Sequence, residues 1–130
     1  MRHVVVSAAV IERDGAFLMT RRASGSHLEG TWEFPGGKQE PGESLEQSLV
    51  REIREELGCG VEVGPLLLVT RHAYPEVAVE LHFFGALLVG EPAPQLGQEM
   101  RWVRREELAA LPLPEADADL VALLTARPRP

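Results

Sequence analysis

Residues 44–58 constrain this chain more than any other stretch. Ser44 has the character of an N-cap, Gln47 three residues later completes a capping box, and Gly58 suits a left-handed helix end. The spacing predicts a helix over about 45–57. Leu45, Leu49 and Ile53 recur at every fourth position, with Val50 and Leu57 beside them, a stripe that should pack on a sheet. Elsewhere on the helix, Glu52 precedes Glu55 by three residues and Glu56 by four. At about 3.6 residues per turn, those spacings put all three carboxylates on one side.

A solvated acidic face is the plain explanation of such a cluster, but two local penalties weigh against it. Like charges at the spacing of Glu52 and Glu56 destabilise an isolated helix by about 0.2–0.5 kcal/mol. The three carboxylates also sit toward the C-terminal end, where the helix dipole disfavours negative charge. Two penalties on one patch suggest an offsetting cation. Hard divalent ions prefer clustered carboxylate oxygens, and Mg²⁺ is commonly shared between carboxylates and substrate phosphates. Arg51, four residues before Glu55, can hold part of the cluster in place.

Around this helix the sequence reads as strands. Residues 4–11 and 17–20 are apolar runs separated by Arg13-Asp14-Gly15, a turn signal that predicts a β-hairpin. Residues 21–30 read as a polar loop, and 32–34 as a short strand stopped by Pro35-Gly36-Gly37. Residues 38–43 read as a loop, 61–70 and 77–89 as strands, and 100–103 as a short strand. A short helix over 105–111, a final helix over 120–126 and a frayed tail at 127–130 complete the chain. This order predicts an α/β (α+β) fold in which a mixed β-sheet is sandwiched between helices, in a single domain over 1–126.

Composition narrows the function. The 130 residues suit one domain, and 45% of them are apolar, enough for a core that needs no covalent staple. Cys59 is the one cysteine, so there is no intramolecular disulfide framework, and it reads as a small buried residue. The formal net charge is −7, from 20 acidic and 13 basic residues, which argues against a grip on a nucleic acid polymer. It leaves a small nucleotide open, because a metal ion reverses the local charge of an acidic site. No apolar run is long enough to span a membrane and no signal-peptide layout is present, so the chain reads as soluble and cytoplasmic.

Residues 37–59 resemble the Nudix box, a signature of 23 positions. Gly37, Glu43, Arg51, Glu52, Ile53, Glu55, Glu56 and Gly58 all fall in register, and Cys59 fills the last apolar slot, where Ile, Leu or Val is more usual. The resemblance implies the Nudix fold and Mg²⁺-dependent cleavage (with Mn²⁺ as an alternative ion) of a nucleoside triphosphate at the β-phosphorus, giving a monophosphate and pyrophosphate. It implies that Glu52, Glu55 and Glu56 bind metal, that Gly36 or Gly37 offers a backbone carbonyl, and that Glu43 and Arg51 support the site. Glu99 is the candidate for a further ligand from outside the box, and either Glu52 or Glu99 for the base that activates water.

The stretch from Arg21-Arg22-Ala23 to Trp32-Glu33-Phe34-Pro35-Gly36-Gly37-Lys38 looks like the MutT-like branch and its CTP- and pyrimidine-cleaving relatives. Arg22, Phe34, Lys38, Tyr74 and Asp117 are the candidates for substrate binding. Arg22 suits a phosphate, and Tyr74, or Phe84 if it is not core, suits a base. Asp117 stands where oxidised-guanine specialists carry Asn. A carboxylate there accepts from a cytosine amino group, though Asp117 reads equally as the N-cap of the last helix. His72 and His82 read as ordinary strand residues. The expected partner is a small-molecule nucleotide, with the protein a monomer or homodimer; ADP-ribose or a dinucleoside polyphosphate is the alternative substrate.

Overall fold

The computed structural model describes residues 2–22 and 30–126. The expected tail at 127–130 and most of the expected 21–30 loop lie outside them. Strand β1 (Arg2–Val10) lies at the centre of a mixed sheet. It pairs in parallel with β7 (Val77–Val89) and antiparallel with the short edge strand β5 (Gly36–Lys38), while β6 (Gly60–Ala73) pairs antiparallel with β7. The order across the sheet is β5-β1-β7-β6. A second, smaller sheet joins β2 (Glu12–Arg13), β3 (Ala16–Arg21), β4 (Trp32–Glu33) and β8 (Met100–Arg104), with β3 pairing to each of the others.

Helix α1 (Leu45–Leu57) forms as its caps predict. The Ser44 hydroxyl accepts from the Gln47 amide at 3.0 Å, the Gln47 side chain accepts from the Ser44 amide at 2.9 Å, and Gly58 is left-handed. Leu49, Ile53 and Leu57 are fully buried, together with Ala9, Ile11, Leu18 and Phe84. Each such aliphatic side chain contributes about 1.5–3 kcal/mol. Val50, placed beside the stripe from sequence, is instead 39% exposed. Cys59 is buried and free, as expected.

The opposite face of the mixed sheet carries Ala8, Val10, Leu81 and Phe83. They pack against Leu108 in the 3₁₀ segment Arg105–Ala110 and against Leu120 in helix α2 (Ala118–Thr125). The sheet is thus sandwiched between helical segments, as the element order implies.

Two local expectations are corrected. Asp14 and Gly15 do form a left-handed turn, but it joins β3 to the two-residue β2 and not to the long first strand. Ala8 and Val10 feed one core and Ala9 and Ile11 the other, so the first strand is apolar on both faces there. Such a strand belongs inside a sheet with a parallel neighbour, not in a half-solvated hairpin. Gly36 and Gly37, read as a strand stop, and Lys38, read as the start of a loop, are strand β5. A Cβ at Gly36 would strike the Ser7 carbonyl, so the missing side chain is what lets this segment lie against β1.

Candidate active site

The acidic cluster is organised by Arg51. Its guanidinium grips Glu43 through two bonds, Nε to Oε2 at 2.6 Å and Nη2 to Oε1 at 3.0 Å. It also donates to Glu52 at 2.8 Å, to Glu55 at 3.1 Å and to the Lys38 carbonyl at 3.0 Å. The Glu43 bond, chiefly, holds the Arg51 pKa above its ordinary value, and Arg51 in turn holds the Glu43 carboxyl below the usual range. The forked geometry makes Arg51 a brace for three carboxylates and one carbonyl of β5.

Glu56 has a different environment. Its carboxyl is buried beside β5, where it accepts from the Gly36 amide, and its Oε2 atom has no hydrogen-bond partner. Burial, then the charges of Glu33 and Glu52, push its pKa up to about 9. A Cβ at Gly37 would lie 2.7 Å from Oε1 of Glu52 and closer still to the rest of that carboxyl. Bare β5 backbone therefore sits directly against two carboxylates, one of them with an unused oxygen. An all-oxygen, net-negative donor set with an orphaned buried atom fits a hard divalent cation. Among the described residues, no three His, Cys, Asp or Glu side chains already converge as a ligand set, and Glu52 and Glu55 are turned to Arg51.

The loop that leads to Glu99 docks on the helix, but Glu99 itself does not join the cluster. The Gln98 amide group and the Gln95 backbone both donate to the Glu56 carbonyl, at 3.0 and 2.9 Å, and so dock this loop on the end of α1. The Glu99 carboxylate itself is exposed and paired with Arg21 at 2.9 Å.

On the α2 side of the sheet lies a cleft of about 370 Å³. All five substrate-binding candidates, Arg22, Phe34, Lys38, Tyr74 and Asp117, line it, and so do Gly36 and Gly37. Its apolar wall comes from alternate residues of β1 (Val4, Val6, Ala8) and β7 (Val77, Val79, Leu81, Phe83), as a period of two requires. Phe34 is otherwise a core residue, edge-on to Phe17 at 6.5 Å and to Phe83 at 6.1 Å. Phe84 packs on the α1 face, away from the cleft. His72 contacts the Tyr74 ring and Glu115, and His82 bonds Glu80 at 2.6 Å; neither joins the carboxylate cluster.

Asp117 is 4% exposed. It occupies the N-cap position of α2, but its side chain makes no capping bond. Burial, then the charge of Glu33, push its pKa up to about 7, with Arg22 pulling the other way. Glu33 is a buried charged residue of the cleft that the sequence does not single out. It pairs with Arg22 at 2.7 Å, and burial still raises its pKa. The one hint in the sequence is a carboxylate set between Trp32 and Phe34.

The NUDIX domain family model matches residues 6–123 of this chain. The protein belongs to the Nudix family. Like other Nudix hydrolases, it falls in a family that generally uses a divalent metal. It is 40% identical to the CTP pyrophosphohydrolase of Escherichia coli K12, over 98% of each chain. It is 33% identical to the 8-oxo-dGTP diphosphatase of the same organism, over 95% of this chain and 98% of that one. Among solved structures, the E. coli ORF135 protein superposes with a TM-score of 0.83 at 38% identity, covering 100% of this chain and 96% of the other. The MutT protein of Methanosarcina mazei Go1 superposes at 0.84 with 27% identity, over 95% of this chain and 93% of that one. Among the described residues of this Nudix hydrolase, no helix is long and apolar enough to cross a membrane.

Proposed function

We propose that this Nudix hydrolase, as one domain over 1–126, cleaves a nucleoside triphosphate to a monophosphate and pyrophosphate with Mg²⁺ as the resident ion. The observation that carries this reading is the convergence of Arg22, Phe34, Lys38, Tyr74 and Asp117, scattered along the chain, on one cleft. The glycines of that cleft, Gly36 and Gly37, abut the Glu52 and Glu56 carboxylates. The base lies between the apolar wall and Tyr74, its polar edge toward Asp117, and the phosphates extend past Lys38 toward α1. The acidic net charge favours such a small nucleotide over a polymer.

Glu52, Glu55, Glu56 and Glu99, with the carbonyl of Gly36 or Gly37, would hold the metal. When bound, it supplies Lewis acidity toward water and the phosphate oxygens. Arg51 and Glu43 keep Glu52 in place against the glycine backbone. Glu52 or Glu99 takes the proton of the attacking water. Arg22, which shares its charge with Glu33, and Lys38 steady the phosphates. Cytidine triphosphates are the first candidates, since an ionised Asp117 accepts from an exocyclic amino group and the 40%-identical relative is named for CTP. The 8-oxo-dGTP reading stands beside it, because other relatives carry that name.

The test is pyrophosphate release from ribo- and deoxynucleoside triphosphates, 8-oxo-dGTP included, with Mg²⁺, with EDTA, and with Glu52→Gln. Selective release that both EDTA and the substitution abolish is the expected result. Absence of release from every triphosphate would refute it and turn attention to ADP-ribose and dinucleoside polyphosphates.

A further inference from the structure

The short 3₁₀ turn that delivers Asp117 to the cleft, Glu115–Asp117, has no side-chain cap of its own. What fixes it is the end of strand β6 and the residue that follows it. Thr70 and His72 share one face of the strand, and Tyr74, just past its last residue, continues the alternation. The Tyr74 hydroxyl accepts from the Ala116 amide at 3.1 Å, and the Thr70 hydroxyl donates to the Ala116 carbonyl, also at 3.1 Å. Both polar groups of a residue only 5% exposed are thus satisfied by the side chains of Thr70 and Tyr74. His72 adds a third tie, its Nε2 3.0 Å from a Glu115 carboxylate oxygen and its ring 4.6 Å from that of Tyr74.

Ala116 immediately precedes Asp117, so this clamp sets where the Asp117 carboxyl stands in the cleft. The acidic cluster lies on the other side of the sheet, and none of the clamp bonds reaches it. We infer that Thr70, together with Tyr74 and His72, is a positioning residue for base selection: it holds the Ala116 peptide so that Asp117 meets the base edge. This inference rests on the proposal that the cleft takes the base of a nucleoside triphosphate.

Thr70→Val keeps the shape of the side chain and removes the hydroxyl, leaving the buried Ala116 carbonyl without its donor. The KM for the preferred triphosphate should rise about fivefold, the equivalent of about 1 kcal/mol and of one lost hydrogen bond. The kcat should stay within about twofold, so the preference between CTP and 8-oxo-dGTP narrows by a similar factor. Amide exchange at Ala116 and Asp117 should quicken, and Thr70→Ser should restore both readouts. Tyr74→Phe is the second variant, with the same narrowing and faster exchange at Ala116 expected.

Unchanged preference in both folded variants would overturn the inference, and so would quicker exchange without any change in preference. A fall in kcat alone, with KM and preference kept, would equally overturn it. Failure of the wild-type enzyme to turn over any triphosphate would remove the underlying function as well, an outcome distinct from normal wild-type selectivity that the variants leave untouched.

Discussion

Replacing Gly37 by alanine should separate catalysis from stability in this enzyme. The added Cβ would stand 2.7 Å from Oε1 of Glu52 and closer to its Cδ, where ordinary contact begins at 3.4 Å. The Glu52 carboxyl has to retreat by roughly 1 Å, and it can, because it is the end of a flexible side chain. A displacement of about 1 Å in a catalytic group costs up to about 10²-fold in rate, so kcat for pyrophosphate release should fall by about 30–100-fold. Gly37 has no positive φ, so alanine fits the backbone and restricts the unfolded chain. The melting temperature should stay within about 3 °C of wild type. Gly36→Ala is the contrast. Its Cβ meets the Ser7 carbonyl and Ala8 Cα, which are backbone and cannot swing aside, so stability should fall by about 1–3 kcal/mol. Steady-state kinetics and thermal melts on both variants decide the matter. A Gly37→Ala enzyme with kcat within threefold of wild type would refute the claim that β5 must leave the Glu52 carboxyl its space.

Arg51→Lys keeps the charge but loses the fork on Glu43, and should lower activity by about 10–100-fold with the fold retained by circular dichroism. Near-normal turnover would show that Glu52 and Glu55 need no brace. Asp117 carries a folded pKa raised to about 7 from 3.8. Its contribution to stability is therefore full below pH 3.8 and is lost as the pH rises through about 7. Melting curves across pH 4–8 should fall more steeply for wild type than for Asp117→Asn; parallel curves would contradict the burial that raises this group.

Helix α1 was legible because its signals are local. Ser44, Gln47 and Gly58 bracket α1 in the sequence, and the capping bonds in the structure are the ones those residue types make. The five binding candidates stand out by residue type in the sequence, but that they line one cleft is seen only in the fold. The long-range pairings were not. Nothing near residues 4–11 says that the partner is β7, so Asp14-Gly15 predicts a longer hairpin than it closes. Gly36 and Gly37 read as a strand stop because glycines show no side-chain periodicity; only the carboxyls and the β1 backbone pressed against them explain their place in β5. Glu33 and the hold of Thr70 on Ala116 depend on tertiary contacts that leave no mark in their neighbourhoods.

The parallel pairing of β1 with β7 also sets an order of events during synthesis. Arg2 finds Val77 and Val10 finds Gly85, so the first strand made has to wait for more than half of the chain before its main neighbour exists. In that interval α1 has been translated with its caps, and Ala9, Ile11 and Leu18 are already made, but Phe84 and Ala86, which complete the surface over Leu49, Ile53 and Leu57, are not. A nascent chain halted before β7 would thus carry the complete signature of the family and no assembled centre. Closure of this long loop is a slow, late step of the kind that high contact order imposes. Until then the apolar run of β1 is a target for chaperones and for pairing with other chains.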